Sequence, residues 1–144
     1  MEELRGQIGT YRLVDHVARG RSGDTYRAEA IDGAPVAIKI HDRADDGQGE
    51  IDRLARVDHP AVVALLDHGR TPDGRVWLAL EWIDGPSLTD VLATSSPLTV
   101  ADTRRLLGPL ASAVDALHRS GIVHGDLSPN NVIVGVSGRP TLLD

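Results

Sequence analysis

Before residue 42 the chain contains three short runs in which apolar side chains alternate with small or polar ones, separated by glycine-bearing turns. A two-residue period sends successive side chains to opposite faces of the backbone, so these runs specify strands and exclude an amphipathic helix. They cover residues 11–17, 25–30 and 36–40, with tight connections over residues 18–24 and 31–35. Connections this short join antiparallel neighbours. The chain is therefore expected to open as a three-stranded meander.

The rest has a different grammar. Residues 42–49 are acidic and carry glycine, which suits a loop. Over residues 50–57 the spacing of Ile51, Leu54 and Val57 predicts a helix, short enough to depend on tertiary support. Residues 61–66 and 75–80 read as two more strands, the turn at 71–74 lying between them. Residues 81–86 form a linker, and Ser87 caps a short helix reaching residue 93, which Ser95, Ser96 and Pro97 end. Thr99 and Asp102 resemble a capping box. The helix that they open places Leu106, Leu110, Ala113, Val114 and Leu117 on one face and stops at Gly121. Pro109 inside it removes a hydrogen bond at a cost of about 3 kcal/mol, which predicts a kink or break near residue 105. Residues 132–134 and 141–143 read as two short apolar strands.

Composition narrows the function. The net charge of −6 over 144 residues argues against a nucleic-acid surface. With no cysteine there is neither a disulfide framework nor a thiolate metal site. Met1, Glu2 and Glu3 begin an acidic N-terminus without the apolar run of a signal peptide, and no stretch approaches the length of a membrane span. The expectation is a soluble, cytoplasmic α+β chain. Phenylalanine is absent, so Leu, Val, Ile and Ala must build the core.

Lys39 is the only lysine; the other fourteen basic residues are arginine. A compact ammonium on a thin stem suits a site where phosphates and a carboxylate meet at a strand, whereas the planar arginine fork needs more width. Downstream, Asp126 and Asn131 lie on one loop with His124. A carboxylate there can accept a proton from an attacking hydroxyl, and an amide oxygen can ligate a hard cation. Asp144 comes after the apolar pair Leu142 and Leu143 and could complete such a cation site. His16, His41, His68 and His118 show no metal-ligand spacing and are expected to play surface or satisfied polar roles, and Asp42, Asp45 and Asp46 a solvated loop.

In order along the chain stand Ala18-x-Gly20-x-x-Gly23, Val36-Ala37-Ile38-Lys39, His124-Gly125-Asp126-Leu127 with Asn131, and Asp144. This series resembles the signatures of eukaryotic-like serine/threonine protein kinases of bacteria. His59-Pro60 and residues 84–88, which resemble a hinge exit, agree with it, and the resemblance covers nearly the whole chain. It implies a kinase-like α+β fold. A five-stranded antiparallel N-lobe with one short helix would occupy residues 1–83, a hinge 84–86, and the first helices and catalytic-loop hairpin of a C-lobe 87–144.

The resemblance also implies roles. Gly20 and Gly23 would let the backbone approach phosphates, and Lys39 would bind the α- and β-phosphates of ATP and pair with Glu50. Ala37 and Ile133 would sandwich adenine, with Val17 at its edge. Leu80 would be the gatekeeper, and Glu81 to Ile83 would offer backbone hydrogen bonds. Asp126 would be the catalytic base, while Asn131 and Asp144 would hold Mg2+. Leu54, Leu65 and His124 resemble members of the packed column of active kinases.

Several positions depart from the family pattern. Ala18 replaces the first loop glycine and predicts a stiffer turn, and Thr25 stands where an apolar residue is usual. Gly125 replaces an arginine that reads activation-loop phosphate. Ser128 replaces a lysine that would neutralise the transferred phosphoryl group. The chain ends at the aspartate of D-F-G, so it is expected to be a fragment, inactive alone and poorly soluble through the exposed face of residues 99–120. Phosphoryl transfer to Ser/Thr hydroxyls of an unidentified protein substrate is the implied function. The alternatives are a pseudokinase or nucleotide-binding scaffold, and a small-molecule phosphotransferase of the aminoglycoside type.

Overall fold

Alternation along the strand at residues 35–41 decides the architecture. Val36, Ile38 and Ile40 point into a core shared with Ile8, Ala28, Trp77 and Ala79. Ala37, Lys39 and His41 occupy the opposite face. The computed structural model describes residues 6–95, 97–122, 128–135 and 137–143. The chain divides into two compact units, Met1–Ala55 with Ala64–Trp82, and Arg56–Val63 with Ile83–Asp144.

The first unit is an antiparallel sheet of β1 (Gln7–Ile8), β2 (Tyr11–Arg19), β3 (Gly23–Glu29), β4 (Pro35–His41), β5 (Leu65–Arg70) and β6 (Val76–Glu81). The strand order is β1-β2-β3-β4-β6-β5, so the meander forms and β6 docks against β4. The two-residue β1 is added to the five expected strands. Trp77 closes the core edge-on to Tyr11, the ring centroids 6.0 Å apart. Helix α1 (Gln48–Ala55) starts at Gln48 rather than Glu50 and buries Glu50, Ile51 and Leu54.

The expected strand at residues 61–66 does not form as such. Ala61, Val62 and Val63 are all buried, a run without alternation. They belong to the second unit, where Leu142 N donates to Ala61 O (2.6 Å) and Val63 N to Leu142 O (3.0 Å). Pairing in the first unit resumes only at Leu65. His59 steadies this segment: its Nδ1 accepts from Ala61 N (3.0 Å), and its Nε2 lies 2.9 Å from Ser112 Oγ.

In the second unit, Ser87 Oγ accepts from Asp90 N at the start of α2 (Leu88–Ser95), and Thr99 Oγ1 accepts from Asp102 N at the start of α3 (Val100–Arg119). Helix α3 runs unbroken through Pro109, so the break expected near residue 105 is corrected. Gly108 offers no Cβ to clash with the proline ring. Arg105 is exposed, so the carbonyl that loses its donor can meet water. Burial of Leu106 on one side of the proline and of Ala113 and Leu117 on the other gives both halves tertiary support. Leu117, Ile122, Val132 and Leu142 form the core here, with Val57, Leu88 and Leu110 packed against it. The hairpin of β7 (Val132–Val134) and β8 (Pro140–Leu142) completes the unit.

Among the described residues, no helix is long and apolar enough to cross a membrane.

Candidate functional site

Register places the first set of candidate residues. Thr25 on β3 faces Lys39 on β4, and on β6 Leu78 faces Lys39 and Leu80 faces Ala37. Cross-strand partners share a face, so these side chains line the sheet surface opposite the Ile38 core. Leu80 is buried and Ala37 half-buried. Val17 sits at the register shift between His16 and Ala18, where a bulge re-aims the strand, and it is 49% exposed.

Lys39 Nζ reaches both carboxylate oxygens of Glu50 on α1, at 3.2 Å to Oε1 and 3.1 Å to Oε2. The Lys39 side chain is 15% exposed and that of Glu50 3%. A buried carboxylate needs such a partner, because a lone buried charge is costly. The Lys39 side chain is less deeply buried than the carboxylate it holds.

Packing and hydrogen bonding shape the turn that carries Gly20 and Gly23. Gly20 and Gly23 do not sit at positive φ. Gly23 is a packing glycine: a Cβ there would lie 1.9 Å from Ile40 O, so only glycine lets β3 start against β4. The turn closes with Gly20 N donating to Gly23 O at 2.9 Å. Ala18 lies within β2, so its replacement of a glycine asks for no unusual backbone. Arg19 locks the turn to the neighbouring strands. It donates to both oxygens of Asp42 (2.6 Å each) and to Asp24 (2.9 Å). That hydrogen-bonded guanidinium holds the Asp42 carboxyl below the usual carboxylate range. Elsewhere on the sheet, burial and then the neighbouring Asp67 push the Tyr11 phenol up.

Glu81 N donates to Ala64 O at 3.0 Å, so that N–H is already engaged. Its side chain accepts from Ala64 N at 2.9 Å.

In the second unit, Asn131 ends a 3-10 turn, Pro129–Asn131. Its backbone is fixed from both sides: its N–H donates to Ser128 O (3.0 Å) and its carbonyl accepts from Leu143 N (2.7 Å). Ile133 on β7 and Ile83 are half-buried. His124, Gly125, Asp126, Leu127 and Asp144 lie outside the described residues, as do Met1, Glu2, Glu3 and Ser96. No cluster of metal-binding side chains occurs among the described residues.

His41 takes the satisfied polar role expected of it, buried and bonded to Glu50 through Nε2; sequence reasoning missed only the partner. The place of His41 two residues beyond Lys39 on a strand was the available signal, since that spacing puts both side chains on one face.

A family model described as the protein kinase domain matches residues 11–144. The serine/threonine-protein kinase pkn2 of Myxococcus xanthus is 36% identical over 140 residues, which is 91% of this chain and 17% of that protein. The serine/threonine-protein kinase PknD of Mycobacterium tuberculosis is 32% identical over 151 residues, 99% of this chain and 23% of its own length. The chain thus spans less than a quarter of either curated relative. A solved structure, the PpkA-294 apo form, matches with a TM-score of 0.86 at 25% identity, covering 100% of this chain and 61% of that one.

Proposed function

Because this chain belongs to the protein kinase domain family, we propose that it carries the nucleotide-binding and catalytic-loop part of an ATP- and Mg2+-dependent kinase acting on serine and threonine hydroxyls of proteins. The observation that carries this reading is the Lys39–Glu50 pair, in which a nearly buried ammonium is held by both oxygens of one carboxylate at the sheet surface. Phosphoryl transfer relies on positioning and charge stabilisation, and a cation held in place by a carboxylate supplies both for a phosphate.

In this reading Lys39 holds the α- and β-phosphates. Gly20 and Gly23 keep the turn close to them, and Val17, Ala37, Leu80 and Ile133 form the apolar surroundings of the base. Glu81 and Ile83 offer it backbone groups; for Glu81 this is the carbonyl, because its N–H is engaged with Ala64. Asn131, an oxygen donor on a turn fixed at both ends, suits Mg2+. Asp144 is its proposed co-ligand and Asp126 the proposed base. Bound Mg2+ would neutralise phosphate charge. The cytoplasm is the proposed compartment.

A nucleotide-binding scaffold is the second reading. Ser128, at the start of the 3-10 turn, supplies no cation where the family has lysine.

The test is transfer from radiolabelled ATP by the full-length protein that carries this chain. Asp126→Asn should cut transfer by at least about a hundredfold while Mg·ATP binding persists. Full transfer by that variant overturns the base assignment. Tight Mg·ATP binding without transfer by the unaltered protein favours the scaffold.

A further inference from the structure

Lys39 is not alone in holding Glu50. His41 lies on the same face of β4, and its Nε2 is 2.8 Å from Glu50 Oε2. Both side chains are nearly sealed, at 5% and 3% exposure. An ionised carboxylate can only accept hydrogen bonds, so the ring nitrogen facing it carries the hydrogen. The other ring nitrogen, Nδ1, is buried without a partner. The ring therefore engages through a single donor, and that donor is aimed at Glu50.

Packing fixes the aim. Gly47, at φ +102°, presses the loop before α1 onto the ring: a Cβ there would sit 2.9 Å from His41 Cδ2 and 2.8 Å from Val76 Cβ. No other residue fits both that backbone and that space. Asp42, the next residue along the chain, does not compete for the ring, because Arg19 holds both of its oxygens. Glu50 Oε2 thus accepts from Lys39 and His41 together, while Oε1 faces Lys39. Helix α1 is only eight residues long and has Gly49 in its first turn, so it is a weak platform for a carboxylate unaided.

We propose that His41 is a positioning residue for the lysine–glutamate pair: its Nε2–H pins the Glu50 carboxylate, which in turn fixes the Lys39 ammonium. The kinase reading is needed only for what the ammonium then binds.

Because Lys39 is the sole lysine, a chain labelled with 15N-lysine gives one side-chain ammonium resonance. In the nucleotide-free 144-residue chain, His41→Leu should speed proton exchange at that ammonium about tenfold, the size expected for losing one hydrogen bond to a charged group. His41→Gln keeps a donor at similar reach and should restore slow exchange. Circular dichroism and tryptophan fluorescence establish that each variant is folded. The unaltered chain supplies an independent readout, since 15N-histidine spectra should show His41 with its proton on Nε2 and a bare Nδ1. Unchanged Lys39 exchange in folded His41→Leu, or a proton on Nδ1 alone, overturns the proposal. Mg·ATP titration of the same samples keeps the two readings apart. Nucleotide binding without the clamp signatures removes only the role of His41. Clamp signatures in a chain that ignores Mg·ATP support that role and show that these 144 residues do not bind nucleotide by themselves.

Discussion

Two ion pairs, one in each compact unit, show how differently the units are built. Lys39 and Glu50 join a strand to a helix, with the carboxylate sealed from water and a histidine on one of its oxygens. Asp115 and Arg119 are neighbours on one turn of α3, at 58% and 81% exposure, 3.0 Å apart. The first pair constrains tertiary structure because neither charge can be left alone; the second decorates a surface. The apolar faces differ in the same way. The sheet unit leaves Ile38, Leu78 and Ala79 with no exposure at all. The helical unit keeps an open apolar groove of about 700 Å3 bordered by Leu88, Leu107, Leu110 and Val114, and α2 buries none of its own residues. Among the described residues the most deeply buried ion pair thus lies in the sheet unit.

The largest expected effect tests that contrast at the ion pairs. Glu50→Ala should destabilise the chain by about 3–5 kcal/mol, whereas Asp115→Ala should cost about 0.3–0.5 kcal/mol, both read from urea unfolding. Equal effects would erase the distinction between the units. Next comes the apolar comparison. Leu78→Ala should cost about 2–5 kcal/mol, and Leu107→Ala, at 59% exposure, should stay within about 0.5 kcal/mol. A smaller effect sharpens the account of the helical unit: Thr99→Ala removes the α3 cap and should cost about 1 kcal/mol, with helix loss visible by circular dichroism. The smallest concerns Asp42. Arg19 holds its carboxyl below the ordinary value of 3.8, so the native state binds this proton less readily than the unfolded chain. The contribution is complete above that ordinary value and is lost as pH falls through the lower native one. Carboxylate NMR should show Asp42 titrating below its ordinary value, and Arg19→Ala should raise it back toward that value.

Local pattern carried much of this structure. The alternation of Val36, Ile38 and Ile40 placed Lys39 on the open face, and Thr99 marked the start of α3 through the hydrogen bond it makes. What escaped depended on distant partners. Ala61–Val63 has strand-like composition, yet its bonds run to Leu142, about eighty positions away along the chain. Pro109 should disrupt a helix taken alone, but Leu106, Ala113 and Leu117 hold α3 together across it. Gly23 looked like a loop glycine; only the proximity of Ile40 O shows that it is a packing one. The partner of His41 escaped because metal-ligand spacing is silent about it, whereas the decisive fact is the face that His41 shares with Lys39.

The central claim is that the solitary ammonium on β4 receives nucleotide phosphates. Its most direct test is a Mg·ATP titration of the chain monitored at the single Lys39 ammonium resonance. A signal that moves progressively and saturates as nucleotide binds is the predicted result. Saturable binding that leaves this resonance where it began would contradict it.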